Sequence, residues 1–323
     1  MRDAIQNFAQ QFSFEPEIRN GGNFTPRPKL LIAGMGGSHL AAGLLKTMLP
    51  ERDIVIHRSY GLPRHMSDLG ERLFVASSYS GNTEETVSAL EEALERRLPS
   101  VVISTGGILG GMAEEHSLPY IQLPKTGIQP RAAIGFAFRA LLAVLSEKDM
   151  LDLSAKFANT FNAGSYEDAG RALAQMLRDS IPVIYSSEKN EALAYHWKIT
   201  FNETGKIPAL YNLLPELNHN EMSGFDVRDA TRHLSEKFYF IFLRDGDDHP
   251  RVLKRMDILT EEYRNRGLRV LVVHLNTEGD KYTKIFSLVV LASWAAYHTA
   301  VGYTLDPEED LPFVADFKKR MAD

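Results

Sequence analysis

Three hydroxyl side chains surround a glycine at the point where a predicted strand gives way to a predicted helix. The segment is Ser77-Ser-Tyr-Ser-Gly-Asn-Thr-Glu-Glu-Thr86, and its hydroxyl donors are Ser78, Ser80 and Thr83. The first amides of a helix, together with its positive dipole end, hold an anion without any lysine. Thr83 is the predicted N-cap, with Thr86 at capping-box spacing. A solvated turn is the simpler interpretation, but the place after a strand favours a phosphate site.

A second strand-to-helix turn carries the sequence Gly34-Met-Gly-Gly-Ser38. It is neither the GxGxxG dinucleotide pattern nor the P-loop pattern, so neither of those ligands is indicated. Because both turns follow strands, we expect Gly37 and Ser38 to approach the same sugar phosphate as the hydroxyl-rich loop.

An acid–base pair is suggested further along the chain. Trp197-Lys-Ile-Thr-Phe-Asn-Glu-Thr-Gly-Lys206 places Glu203 at the end of a predicted helix, and His219 follows between two asparagines. A carboxylate shielded by Phe201 and Trp197 would have a raised pKa, as a general base near neutrality requires. Histidine can exchange a proton in the same pH range. A surface glutamate and a structural histidine are the alternative interpretation.

Short apolar runs alternate with helical patterns and place these residues at strand and helix ends. Predicted strands are 29–33, 53–57, 73–77, 99–104, 120–123, 181–185, 238–243 and 269–274. Predicted helices are 39–48, 83–97, 191–204, 252–267 and 285–301, with 141–153 as a helix end running into a polar connector. This alternation predicts an α/β protein of two halves that meet near residue 150, each with a parallel sheet covered by helices.

Composition excludes several classes of protein. The 323 residues are 44% hydrophobic and include no cysteine, which excludes a disulfide framework, a thiolate metal site and a cysteine nucleophile. The formal net charge of -6 argues against a nucleic-acid partner. Residues 1–20 lack the apolar core of a signal peptide. Residues 286–303 are interrupted by polar side chains and predict a buried core helix, not a membrane span, so we expect a cytoplasmic protein.

The motifs resemble those of a known family. GMGGS at 34–38 and SSYSGNTEET at 77–86 resemble the sugar isomerase domain, a flavodoxin-like fold that binds phosphosugars. With YGLP at 60–63, PRAAIGF at 130–136, NETGK at 202–206 and NHNEMSGF at 218–225, the chain resembles the bifunctional phosphoglucose/phosphomannose isomerase family. The resemblance implies two flavodoxin-like sugar isomerase domains, which we place at 1–150 and 151–323.

The resemblance also implies roles for individual residues. Glu203 would move a proton between C2 and C1, His219 would open the sugar ring from the partner subunit, and Arg131 would stabilise an enediolate. Lys318 fits the family's lysine near the ring oxygen, with Lys319 as the neighbouring alternative. The phosphate-binding positions are Ser38, Ser78, Ser80 and Thr83. A phosphosugar substrate, no cofactor and a homodimer with shared sites are therefore expected.

One segment departs from the family pattern, and three other functions compete with the isomerase. Asp306-Pro-Glu-Glu-Asp-Leu-Pro312 stands where Asp-Pro-Thr-Pro is common, which makes mannose 6-phosphate the less secure substrate. A non-catalytic sugar-phosphate sensor would carry an output module, and none is visible. A glutamine-dependent aminotransferase needs an N-terminal cysteine. A metal-dependent mannose phosphate isomerase needs closely spaced ligands, which the ten histidines do not supply.

Overall fold

The computed structural model describes residues 1–275, 279–309 and 311–322, without the side chains of Lys318 and Ala322. The strands are β1 Ile18–Arg19, β2 Lys29–Ala33, β3 Asp53–His57, β4 Leu73–Ser77, β5 Ser100–Ser104, β6 Tyr120–Gln122, β7 Ile181–Ser187, β8 Leu210–Leu214, β9 Phe238–Asp245 and β10 Arg269–Leu275. The helices are α1 Arg2–Gln6, α2 Gly36–Met48, α3 Glu84–Glu95, α4 Gly107–Glu115, α5 Ile134–Val144, α6 Lys148–Thr160, α7 Glu167–Met176, α8 Glu191–Glu203, α9 Glu221–Gly224, α10 Arg232–Ser235, α11 Pro250–Asn265, α12 Lys281–Gly302 and α13 Pro312–Ala322.

These strands form two sheets with parallel cores. The first has the order β1-β6-β5-β4-β2-β3, in which only the short β1 runs antiparallel to its neighbour β6. The second has the order β10-β9-β7-β8 and is parallel throughout. Every residue of β4 and β5 is buried, as expected for apolar strands covered on both faces. The predicted α/β class, with parallel sheets flanked by helices, is confirmed.

One layer of helices lies in the core between the sheets. Helices α2, α5, α8 and α12 contribute Leu44, Leu142, Leu193 and Phe286 to one hydrophobic cluster, and each of these side chains is fully buried. The same cluster contains strand residues from both sheets. Helix α12 is long and apolar enough to cross a membrane. Here it packs against α7 and α8 as a core helix, as predicted for residues 286–303.

The structure contains elements that the sequence interpretation missed. Residues 141–153, predicted as a helix end running into a polar connector, contain the end of α5 and the start of α6, and α7 follows α6 where a connector was expected. Helix α6 buries only two residues, Ser154 and Phe157, so its apolar signal is weak. Strand β8 and helix α13 were also not predicted. The division of the chain at residue 150 falls within α6 and stays a prediction.

Candidate active site

The loops after β2 and β4 meet at the carboxyl end of the first sheet. The Ser38 hydroxyl, in the first turn of α2, accepts a hydrogen bond from the Tyr79 amide at 3.1 Å. Ser38 and Ser78 are both more than nine-tenths buried. The structure therefore brings together the two loops that the sequence predicts to share one phosphate.

The hydroxyl groups of the loop after β4 form a connected cluster. Ser78 Oγ lies 2.8 Å from Thr83 Oγ1 and 3.4 Å from Ser80 Oγ. Thr83 is the N-cap residue of α3 as predicted, but among the described residues its hydroxyl bonds Ser78 instead of a helix amide. The predicted capping box is wrong, because Thr86 is buried and its Oγ1 has no partner in the described part of the chain. The uncapped amides at this helix start suit an anion.

A third loop, which follows β5, supports the hydroxyl cluster from behind. Gly81 has φ +74°, and a Cβ there would lie 1.8 Å from the carbonyl oxygen of Gly106. Thr105 N donates to the carbonyl of Tyr79 at 3.0 Å, and Leu109 N donates to that of Gly81 at 2.9 Å. Sequence reasoning did not assign this loop to the site, although a Gly-Gly pair directly after β5 is the signal that was available.

Arg131 lies where the end of α8 meets the loop after β2. Its Nε donates to Thr204 Oγ1 at 3.1 Å, and its Nη2 donates to the carbonyl of Pro307 at 2.9 Å. A Cβ on Gly37 would lie 2.8 Å from the carbonyl oxygen of Pro130 and 3.2 Å from Cα of Arg131, so this approach requires glycine. The cation is thus placed between the phosphate loops and the residue that follows Glu203.

Glu203 is the last residue of α8, and it is exposed in the single chain. The predicted shielding by Phe201 and Trp197 is wrong, because both rings are fully buried in the core between the sheets. The Glu203 charge acts instead on Tyr195. Burial raises the pKa of Tyr195, the positive Arg58 opposes that rise, and Glu203 adds to it.

A cleft of about 510 Å³ borders this site, and His39, Arg58 and Tyr195 are among its lining residues. His39 directly follows Ser38, is more than nine-tenths buried and meets the Tyr195 ring edge-on at 4.9 Å. Burial and then the Arg58 charge lower the pKa of His39 to about 4, so its ring is neutral at pH 7. Sequence reasoning missed His39.

His219 lies at the other end of the second sheet. It closes the turn Glu216–His219 beyond the carboxyl end of β8, whereas Glu203 lies near the amino end of that strand. Five strand residues at about 3.3 Å each separate the two ends by roughly 17 Å. His219 is exposed. The structure therefore does not bring Glu203 and His219 together within one chain.

The segment that carries His219 is anchored through Glu221. The Tyr185 hydroxyl donates to Glu221 Oε1 at 2.5 Å, and Asn212 Nδ2 donates to Glu221 Oε2. Burial of Tyr185 raises the pKa of its hydroxyl, which stays a donor at any ordinary pH. Glu221 thus holds the turn on the second sheet while His219 faces outward.

The carboxyl end of the second sheet carries charged groups instead of a hydroxyl cluster. Asp245, at the end of β9, is 1% exposed and accepts from Lys284 Nζ at 2.5 Å and Lys189 Nζ at 3.0 Å. Asn190 Nδ2 donates to the same carboxylate at 3.1 Å. Burial opposes ionisation of Asp245, but these donors and the amide of Asp247 outweigh it and lower its pKa to about 2.

Comparison with known proteins decides the family. Residues 167–321 match the family model "Bacterial phospho-glucose isomerase C-terminal SIS domain". The bifunctional phosphoglucose/phosphomannose isomerase of Aquifex aeolicus is 33% identical over 94% of this chain and 92% of its own length. The chain belongs to the bifunctional phosphoglucose/phosphomannose isomerase family. The membership and the isomerase enzyme class predicted from the motifs are therefore confirmed.

Two further comparisons match this chain with proteins named for other activities. A D-glucosamine-6-phosphate 4-epimerase from Sulfolobus acidocaldarius is 30% identical over 64% of this chain and 67% of its own length. The C-terminal domain of glucosamine-fructose-6-phosphate aminotransferase from Francisella tularensis superposes with a TM-score of 0.68 over 95% of both chains, at 15% identity. The second likeness shows the fold alone.

The C-terminal segment of this family member approaches the site at Pro307. That residue lies within the stretch that departs from the family pattern, and its carbonyl accepts from Arg131. Lys206 Nζ donates to the carbonyl of Glu309 at 2.6 Å, which holds the same stretch against the end of α8. Helix α13 follows, and the side chain of Lys318 lies outside the described residues, so its predicted role stays a prediction.

Proposed function

We propose that this isomerase interconverts glucose 6-phosphate and fructose 6-phosphate through a cis-enediol, without a cofactor, and that mannose 6-phosphate is its second substrate. One observation carries the proposal. Arg131 is hydrogen-bonded to the residue after Glu203 and packs against Gly37, so hydroxyl cluster, cation and carboxylate share one side of the molecule. A non-catalytic sensor would need only the hydroxyl cluster.

The chemistry assigned to these groups begins with binding of the phosphate by the hydroxyls of Ser38, Ser78, Ser80 and Thr83. Glu203 then removes the C2 proton of the open-chain aldose, and the C2–H electron pair forms a C1–C2 double bond while O1 becomes an enediolate oxygen. Arg131 stabilises that oxygen, which takes up a proton. The proton that O1 takes up comes from the C2 hydroxyl, and the C2 carbonyl forms as Glu203 returns its own proton to C1.

We assign ring opening to His219 of a second subunit, because His219 and Glu203 lie at opposite ends of β8 within one chain. This assignment requires a homodimer with shared sites, and Lys318 is proposed to lie near the ring oxygen. Mixed His219→Ala and Glu203→Gln protomers should regain activity through hybrid sites. A mixture that stays inactive after verified subunit exchange would place the site within one chain.

The function itself is tested with fructose 6-phosphate, following glucose 6-phosphate and mannose 6-phosphate in a coupled assay with and without EDTA. The rate of isomerisation is expected to be the same with and without EDTA. Activity that EDTA abolishes and zinc restores would overturn the cofactor-free mechanism, and binding without turnover would return the protein to a sensor.

Glu203→Gln separates the proton-transfer step from binding. The amide keeps the size of the side chain but cannot accept the proton, so kcat should fall by about 10²–10⁴-fold with little change in KM. In D₂O the wild type should exchange deuterium into substrate and product, and the variant almost none. Glu191→Gln, an exposed glutamate at the other end of the same helix, is the matched control. Near wild-type kcat for Glu203→Gln would make Glu221 the next candidate.

A further inference from the structure

The geometry points to Thr204 as a positioning residue that fixes the Arg131 guanidinium relative to Glu203. This inference rests on the proposed function, because it concerns the cation assigned to the enediolate. The Thr204 side chain accepts from Arg131 Nε at 3.1 Å, and Thr204 is only 3% exposed. The accepting oxygen is therefore held in the protein interior, while Arg131 itself is half-buried and can face a substrate.

The other contacts of the Arg131 guanidinium show why Thr204 is the partner that fixes its position relative to Glu203. Nη1 donates to Gln129 Oε1 at 3.4 Å, a long bond to a neighbour two residues away, and Nη2 donates to the carbonyl of Pro307. Bonds to described residues thus use three of the five N–H donors that a guanidinium carries. Thr204 is the partner among them that directly follows α8, the helix whose last residue is Glu203.

The backbone of Thr204 is itself fixed. Its amide donates to the carbonyl of Thr200 at 2.9 Å and continues the hydrogen bonding of α8 by one residue. The Gly205 amide donates to the same carbonyl at 3.1 Å. Because Glu203 and Thr204 are adjacent on a fixed backbone, the Nε bond ties the cation to the base. The carboxylate that moves the proton and the guanidinium that stabilises the enediolate then keep their positions relative to each other.

A matched control lies one turn earlier on the same helix. The Thr200 hydroxyl lies 3.3 Å from His196 Nδ1, and His196 Nε2 lies 3.1 Å from the carbonyl of Val289. Thr200 is buried like Thr204, but its hydroxyl bonds a neutral core histidine whose pKa burial lowers to about 4. Thr200→Val therefore removes the same chemical group, a buried threonine hydroxyl one turn before Thr204, without removing a hydrogen bond to Arg131.

The test measures kcat and KM for fructose 6-phosphate, with the melting temperature as a folding check. Thr204→Val and Thr204→Ala should lower kcat about tenfold with KM changed by no more than about twofold, since a hydrogen bond that orients a charged group is lost. Thr204→Ser should restore most of kcat. Thr200→Val should lower the melting temperature and leave kcat close to wild type. Two hydroxyl-free variants keep the test intact if one fails to fold.

A double variant with Arg131 distinguishes a residue that positions the guanidinium from one that only supports the fold. Arg131→Ala should reduce kcat by more than Thr204→Val, and adding Thr204→Val to Arg131→Ala should cause no further loss. The inference is overturned if the kcat losses of Arg131→Ala and Thr204→Val multiply in the double variant, or if Thr204→Val keeps wild-type kcat. The proposed function stands in either case. A wild-type protein that does not turn over fructose 6-phosphate overturns the proposed function, and this inference with it.

Discussion

The carboxyl ends of the two parallel sheets differ in what their loops place there. At the first sheet, Ser78, Ser80 and Thr83 form a hydroxyl cluster beside the start of α3. At the second, Asp245 is enclosed by Lys189 and Lys284. Ligands of open α/β sheets bind at this edge in general. Here the second edge is filled by its own counter-ions, so its charges are satisfied within the protein.

This difference shows that the sheet provides a location and the loops decide its use. The first edge offers donors to an anion and keeps a half-buried cation, Arg131, close by. At the second edge, the carboxylate of Asp245 at the corresponding end of β9 already pairs with Lys189 and Lys284, so these cations are engaged within the protein. One half of the molecule is therefore suited to phosphate binding and the other to stability and to holding the His219 segment.

The largest expected effect is the loss of stability when the ion pairs of Asp245 at the second edge are broken. Asp245→Asn leaves Lys284 and Lys189 without their buried counter-charge, and breaking a buried ion pair in this way costs about 3–5 kcal/mol of unfolding free energy. KM for fructose 6-phosphate should be unchanged in the folded protein. Urea denaturation gives the free energy, with Asp247→Asn as control. Because the Asp247 side chain is 65% exposed, its loss should cost less than about 1 kcal/mol.

At the first edge, substitutions should raise KM for the substrate and leave stability almost unchanged. The proposed function assigns to Ser80 and Thr83 one hydrogen bond each to the anionic phosphate, worth about 1.5–3 kcal/mol. Ser80→Ala and Thr83→Ala should therefore each raise KM about tenfold or more with little change in stability. Ser187→Ala provides the control at the second edge, where the hydroxyl donates to Asp248 at 2.8 Å. An unchanged KM for both loop variants would return the loop to a structural turn.

Acid should reduce the contribution of Asp245 to the free energy of unfolding. The hydroxyl groups of the first edge do not titrate in this range, so their contribution should not change. The folded pKa of about 2 lies below the ordinary value of 3.8, so the unfolded chain binds more protons between these values. The stability from Asp245 is therefore present above pH 4 and is lost as pH falls towards 2. The difference between wild type and Asp245→Asn should narrow by about 2 kcal/mol between pH 5 and pH 2. A constant difference would contradict the ionic account.

Much of the fold could be predicted from the sequence. Strands β2, β3 and β4 have the predicted bounds, and β5 begins one residue later than predicted. Each of the four is a short apolar run between turn residues. Strand β8 was missed because Leu-Tyr-Asn-Leu-Leu has a weaker β pattern and forms an edge of its sheet. Helix α13 was missed because most of its described side chains are exposed, although Pro312 at its first position is a helix-start signal.

The candidate site was predicted less completely. Local motifs indicate the hydroxyl cluster, since its residues are neighbours in sequence and fold as one loop. The bond from Arg131 to Thr204 joins residues 73 positions apart, and the bond to Pro307 joins residues 176 apart. No local pattern encodes such pairings. The orientation of Phe201 and Trp197 away from Glu203 likewise depends on which face of α8 the second half of the chain buries.

The Gly81–Gly106 contact has a consequence for the thermodynamics of binding. Backbone hydrogen bonds from Thr105 and Leu109 fix the loop after β4 through contacts within the protein itself. The conformational entropy of that loop is therefore lost when the protein folds and not when the phosphate arrives. A preorganised loop of this kind raises affinity by reducing the ordering that binding requires. In Gly81→Ala the added Cβ would lie 1.8 Å from the carbonyl oxygen of Gly106, so the two loops must separate, and that loss of entropy should shift to the binding step.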